Sequence, residues 1–231
     1  MSPLAHPIIG ITANLVRDDK GRLRHEVKAT YIDAVVRAGG TPMVLPAIAS
    51  TRAALLPLVD GVIMTGGDDI DTRPFGIALH PQAQIMLGER QAAELALLDA
   101  MAHHSQMPLL GICLGMQLMG VHAGCALIQH LHDAKPDADR HRYDNTHAVE
   151  SALGNGSVAS WHHQALADAG PFDAVGWSDD GVLEAIRDPN KPFRVGVQWH
   201  PERTPDATMG DGVIAQLVDA ARAHKRASAC A

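Results

Sequence analysis

Aromatic side chains are scarce in this chain, 3% of its 231 residues, which excludes the stacked ring platforms on which unpaired bases bind. Positive charge is also short. Lys and Arg number 19 against 26 Asp and Glu, a net charge of −7, so phosphate backbones and anionic lipid heads are repelled and neither nucleic acid nor membrane is an expected partner. Cysteine is limited to Cys113, Cys125 and Cys230, with no CxxC pair. Met1 to Pro7 lacks the charged and apolar regions of a signal peptide, so a reducing cytoplasm is the expected setting. One charge-poor run, Met107 to Ile128, is long enough to cross a bilayer. Its Pro108 and its glycines fit a buried strand turning into a buried helix instead. Recognition of a small molecule must then rest on polar side chains and backbone.

With 46% hydrophobic residues the chain can bury a real core, and one domain over 1–231 is expected. Pro7 to Thr12 reads as a strand buried on both faces, followed by a polar loop. From Glu26 the apolar spacing is helical (Ile32, Val35, Val36), with Gly39-Gly40 as a left-handed stop. Met43 to Leu45, Gly61 to Thr65 and Leu109 to Ile112 read as further strands, with a short helix over Ala53 to Val59 and a longer one over Glu89 to His103. This βαβα rhythm implies an α/β fold: a doubly wound, mostly parallel sheet flanked by helices. After Leu131 short strand-like pieces predict a small mixed or antiparallel extension. Phe193 to Trp199 returns to a buried strand. A final helix presents Val213, Leu217, Val218 and Ala221, and residues 227–231 are expected to fray. The Asn155-Gly156-Ser157 sequon is read as a tight turn. Two connections, Gly66 to Gly88 and Gln129 to Thr146, exceed the usual strand-helix link and are either functional loops or surface decoration.

Three motifs carry chemistry. Gly111-Ile112-Cys113-Leu114-Gly115 has the form glycine-x-nucleophile-x-glycine at a strand-to-helix turn. Larger side chains two positions either side would collide there, and a helix N-terminus favours the thiolate. Taken alone, such a cysteine is as readily a small buried apolar residue. Val195 to Glu202 reads as a strand ending in His200-Pro201-Glu202. In an extended segment His200 and Glu202 point to the same side, so the carboxylate can fix the tautomer of the imidazole; taken alone, the pair is more often solvated. Gly61 to Asp69 reads as a strand ending in Gly66-Gly67. Its bare backbone admits a reacting carbonyl, and the N–H groups of Gly67 and Leu114 would make a two-donor oxyanion hole; taken alone, the pair is more often a turn that uses glycine for its dihedrals.

In combination and order these motifs resemble the class I glutamine amidotransferase-like proteins, most closely their gamma-glutamyl-gamma-aminobutyrate hydrolase branch. The likeness runs from Ile8 to about Val218 and includes Tyr31 to Val35, Ala38 to Pro42 and Ser160-Trp161-His162-His163-Gln164. It implies a flavodoxin-like architecture and a Cys-His-Glu triad of Cys113, His200 and Glu202. It also implies oxyanion donors at Gly67 and Leu114, and a glutamyl pocket with Gln117, Gly66, His163 and Gln164. One departure stands out. The hydrolase branch commonly carries Arg after the nucleophile, whereas Leu114 stands here, as in ammonia-producing glutaminase subunits.

The expected activity is hydrolysis of small γ-glutamyl amides through a γ-glutamyl thioester, with no cofactor. The alternatives are a glutaminase subunit feeding ammonia to a synthase partner, and a binding module without activity. A homodimer is compatible with any of these. The leaving-group pocket is expected from the two long connections. His130-x-His132, His103-His104 and His162-His163 invite a metal reading, but adjacent histidines diverge and no zinc-enzyme spacing accompanies them, so no metal is expected.

Overall fold

The computed structural model describes residues 6–229; Cys230 lies outside them. The elements in chain order are β1 (Ile8–Thr12), β2 (Asn14–Arg17), β3 (Leu23–Glu26), α1 (Ala29–Arg37), β4 (Thr41–Leu45), α2 (Arg52–Leu55), β5 (Gly61–Met64), α3 (Gly88–His103) and β6 (Leu109–Ile112). There follow α4 (Leu114–His122), β7 (Leu127–Ile128), β8 (Asn145–Ser151), β9 (Gly154–Ser160), β10 (Ala165–Leu166), β11 (Asp173–Ser178), β12 (Leu183–Arg187), β13 (Arg194–Val197) and α5 (Asp211–Ser228).

Nine strands form one sheet in the order β4-β1-β5-β6-β13-β12-β11-β8-β9. The first five pair in parallel, and the last four join antiparallel to the same sheet. The alternation of strand side chains divides the core into two faces. Ile9, Ile11, Ile63, Leu110, Ile112, Val195 and Val197 pack against α1 and α5, while Val62, Met64 and Leu109 pack against α3 and α4. Burial on both faces explains why these strands read as unbroken apolar runs. Among the described residues no helix is long and apolar enough to cross a membrane.

The structure corrects four local expectations. The polar loop after β1 is a hairpin, β2 pairing antiparallel with β3. Its turn is held by Asp18, whose Oδ1 accepts from the N–H of Lys20 and Arg22, so local hydrogen bonds replace the missing apolar period. The extension is not small, since it supplies four of the nine strands. The sequon lies inside β9, the turn falling at Ala152-Leu153 before it, and Asn155 Oδ1 accepts from the Ser151 N–H at 3.0 Å. α5 continues to Ser228, past the start of the segment expected to fray.

Candidate active site

The parallel strands β5 and β6 and the turn after β13 deliver their C-terminal ends to one crevice, the usual place for a site in such a sheet. Cys113 sits between β6 and α4 with φ 53° and ψ −105°, a left-handed backbone that a side chain rarely adopts. The flanking glycines are required by contact as the spacing implied: a Cβ on Gly115 would lie 2.4 Å from the carbonyl oxygen of Met64 on β5, and one on Gly111 would lie 2.6 Å from Met119 Sδ. Cys113 is buried, and its thiol points to the carbonyl oxygen of Trp161 at 3.7 Å.

His200 and Glu202 meet as expected, Nδ1 to Oε1 at 2.8 Å, but by another route. β13 stops at Val197 and Pro201–Arg203 form a tight helical turn, so the carboxylate folds back onto the ring rather than following it along a strand. Both groups are buried. Burial alone would lower the His200 pKa, yet the Glu202 carboxylate, followed by Cys113, overcomes it and raises the value to about 9. Burial likewise pushes Glu202 up, and the neighbouring imidazolium reverses this and holds it below the usual carboxylate range. The two opposite outcomes have one cause, a buried ion pair with Cys113 beside it. A Cβ on Gly66 would stand 3.0 Å from His200 Cε1 and 3.6 Å from Cys113 Cβ, so only bare backbone fits between ring and thiol.

Tyr31 on α1, to which the sequence reading assigned no role, closes this corner. Its hydroxyl accepts from the Gly66 N–H at 3.0 Å. Burial, with Glu202 nearby, drives its pKa well above the ordinary phenol value, so it stays a neutral phenol. The other end of the Gly66 turn is braced by Arg90, which donates to Thr65 Oγ1 at 3.0 Å and pairs with Glu94 at 2.8 Å, both charges fully buried. Leu114 is buried, and a Cβ on Gly67 would meet its Cδ2 at 2.9 Å. The Leu114 side chain is therefore packing, while its N–H belongs to the helix turn whose amides have no acceptor within the helix.

Cys113 lies in the wall shared by two cavities. The smaller, about 110 Å³, is lined by three of the four residues proposed for the glutamyl pocket, Gln117, His163 and Gln164, and by Asp68, Gln84 and Arg142, which were not anticipated. Its expected residues are already partly engaged. Gln117 Nε2 donates to the Gln164 carbonyl at 3.0 Å and to Gln198 Oε1 at 3.1 Å, leaving its oxygen as the free end, and the His163 ring holds Asp69 at 2.9 Å. The larger cavity, about 510 Å³, includes Gly67, His200 and Gly66, the last of which was expected in the glutamyl pocket but does not line the smaller cavity. The long connections, expected to build the leaving-group pocket, supply only part of this lining. Asp68 and Asp144 contribute from them, but one wall is the β2–β3 hairpin and its exit: Asn14, Val16, Glu26, Val27 and Lys28. Trp161, half-exposed, stands at the border of both cavities with Tyr143 packed edge-on to its ring.

Of the histidine pairs singled out in the sequence, His162 and His163 diverge as adjacent residues do, whereas His130 and His132 stack on one another. His163 turns to Asp69, while His162 turns inward to Glu184, which His141 and His147 also approach. His130 stacks between His80 and His132 nearer the surface.

Residues 7–202 match the peptidase C26 family. A relative from Mycobacterium tuberculosis, provisionally named a glutamine amidotransferase, is 31% identical over 239 residues, covering 95% of this chain and 76% of its own. The gamma-glutamyl-gamma-aminobutyrate hydrolase PuuD of Escherichia coli is 30% identical over 222 residues, covering 85% of this chain and 86% of its own. A crystal structure from Thermoplasma acidophilum, provisionally a GMP synthase subunit, superposes with a TM-score of 0.65 at 13% identity, over 96% of this chain and 98% of that one. At that identity the likeness concerns the fold, which is the mixed, largely parallel sheet expected from the sequence.

Proposed function

The chain belongs to the peptidase C26 family, a family of amide-bond chemistry, and from that premise we propose that it hydrolyses small γ-glutamyl amides with Cys113 as nucleophile. One observation carries the reading: the cysteine stands between a small polar cavity and a large one, so a substrate can lie across it with its scissile carbonyl at the sulfur. The γ-glutamyl part occupies the smaller cavity. Its α-ammonium faces Asp68 and the free oxygen of Gln117, and its α-carboxylate faces Arg142. The departing amine occupies the larger cavity beside the hairpin.

The reaction follows from these positions. Cys113 Sγ adds to the γ-carbonyl carbon, and the oxyanion is received by the N–H groups of Gly67 and Leu114. The His200 imidazolium gives its proton to the amine nitrogen as the C–N bond breaks, leaving a γ-glutamyl thioester. Neutral His200 then takes a proton from water, hydroxide adds to the thioester carbonyl, and the thiolate departs as glutamate forms. Glu202 favours the imidazolium at each stage at which it exists. A glutaminase that hands ammonia to a partner would have little use for a cavity of about 510 Å³ on the leaving-group side. Leu114 also loses weight as a sign of that alternative, because its side chain is buried against Gly67 rather than offered to a ligand.

A diazoketone analogue of glutamine, electrophilic at the γ position, tests the reading. The expected result is stoichiometric inactivation with the label on Cys113, slowed by γ-glutamyl amines. Labelling elsewhere, or inactivation unaffected by γ-glutamyl compounds, would overturn it.

A further inference from the structure

Behind the loop that carries Trp161 lies a group of side chains the proposed reaction does not use. His141 closes the helical turn before β8, His147 lies on β8, His162 follows β9 and Glu184 lies on β12, all of them buried. Three ring nitrogens converge on one carboxylate oxygen. Glu184 Oε1 is 3.1 Å from His147 Nε2, 3.3 Å from His141 Nδ1 and 3.5 Å from His162 Nε2.

The far side of two rings decides what these nitrogens carry. His162 Nδ1 is 2.9 Å from the Gln164 carbonyl oxygen, which can only accept, so that nitrogen bears the proton. His141 Nε2 is 3.2 Å from Asp180 Oδ2, whose partner oxygen already accepts from Ser178, so this nitrogen too bears a proton. In the neutral rings the inward nitrogens, His162 Nε2 and His141 Nδ1, are then lone pairs aimed at a carboxylate oxygen. Neither has a hydrogen-bond partner, and Glu184 Oε2 has none either. Facing lone pairs in a dry interior repel one another unless a cation stands among them.

We infer that His141, His162 and Glu184 form a binding site for a divalent transition ion, of which zinc is the best match, with His147 hydrogen-bonded to the same carboxylate. Glu184 Oε1 lies 3.3 and 3.5 Å from the inward nitrogens of His141 and His162, close to the roughly 3.3 Å edge of a tetrahedron around an ion ~2.0–2.1 Å from each ligand, and the ligand atoms of the three residues lie within 4.8 Å of one another. Imidazole nitrogens with one carboxylate are a donor set that suits zinc among the borderline ions. The outward hydrogen bonds of His162 to a backbone carbonyl and of His141 to Asp180 are the supports that orient metal-bound imidazoles. The site is buried and supplies three protein ligands, which leaves a fourth position for solvent, and the ion enters as the chain folds. It fixes His162, and with it the Trp161–Gln164 loop that borders both cavities. This inference stands apart from the γ-glutamyl reading, since nothing in it requires a substrate.

The test uses the full chain, expressed without a histidine tag and purified without chelator. Elemental analysis should give about one zinc per chain. An anomalous difference map at the zinc edge should place the ion within ~2.0–2.2 Å of one ligand atom each of His141, His162 and Glu184. Replacing zinc by Co²⁺ should give the intense visible bands of a tetrahedral ion, retained in Cys113→Ala and His130→Ala and lost in Glu184→Gln. Sub-stoichiometric metal, or an anomalous peak at Cys113 or at the His80, His130 and His132 group, overturns the proposal in favour of a network of protonated imidazoles. The map on the wild-type chain decides the matter even if Glu184→Gln does not fold. A zinc-loaded chain inert toward every γ-glutamyl amide would sink the catalytic reading and leave this one standing.

Discussion

Replacing Glu202 by Gln changes one charge in a fully packed pocket and keeps its shape. The amide oxygen can still accept the Nδ1 proton of a neutral imidazole, so tautomer and orientation survive. What is lost is the carboxylate that, ahead of Cys113, raises His200 from 6.5 to about 9 against its own burial. That rise is worth about 3 kcal/mol to the imidazolium, and in the proposed reaction this cation is the acid that releases the amine. Expressed in the barrier, the figure corresponds to a fall in kcat of a few hundredfold, and the buried position of Glu202 allows as much as the ~10⁴-fold recorded for the orienting acid of serine proteases. The pH dependence supplies a second readout. A group raised in the folded state stabilises fully below its ordinary value and loses that contribution as pH climbs through the raised one. The wild-type chain should therefore lose stability between pH 6.5 and 9, and the variant should show less of this loss. The alkaline limb of kcat/KM, a property of the Cys113 and His200 pair rather than of either residue, should move to lower pH. Steady-state kinetics across roughly pH 6 to 10, with denaturant melts at the same points, measure both. A folded Glu202→Gln chain with unchanged kcat and an unmoved alkaline limb would refute the reasoning.

Other outcomes follow from single contacts. In brief iodoacetamide treatment Cys113 should label first. Cys125, pushed to about 11 by burial and then by Asp168, should label slowly, and peptide maps showing Cys125 ahead would contradict this. Gly115→Ala forces a methyl group to 2.4 Å from the Met64 carbonyl and should cost about 3 kcal/mol or more, whereas Gly88→Ala meets nothing within 4 Å and should leave the melting midpoint level or slightly raised. Tyr31→Phe strips the acceptor from the Gly66 N–H and should destabilise by about 1–3 kcal/mol. A melt indistinguishable from wild type would show that the N–H finds another partner.

The elements that were legible in the sequence are those whose physics is local or strictly periodic. The Cys113 turn needs glycine two positions either side, and it has it; β1, β5 and β6 are apolar on both faces because helices cover both. The β2–β3 hairpin escaped because β3, Leu23 to Glu26, is exposed throughout and carries no apolar alternation. Only the Asp18 to Gly21 turn signalled it, and that turn resembles any polar loop. The sequence therefore pointed to the long connections alone, whereas Asn14, Val16 and Lys28 also line the larger cavity, together with Asp68 and Asp144 from those connections. Contact between His200 and Glu202 was expected from strand alternation and is made by a turn at Pro201, the same neighbours joined by different backbone. The convergence of His141, His147 and His162 on Glu184 depends on β8 and β12 lying in one sheet with β11 between them, a long-range pairing that spacing along the chain does not reveal.

The central claim, a free-standing hydrolase that binds its leaving group, is tested most directly by kcat/KM for glutamine against a panel of γ-glutamyl amines, with Cys113→Ala as the blank. Ammonia leaves a cavity of about 510 Å³ unfilled, whereas an amine with a chain contacts the hairpin wall, and that remote binding can be used at the reacting carbonyl. At least one γ-glutamyl amine should exceed glutamine by about tenfold or more, ~1.4 kcal/mol. If glutamine instead equals or beats every amine, and a partner protein raises its rate further, the chain is a glutaminase subunit and the account of the larger cavity is wrong.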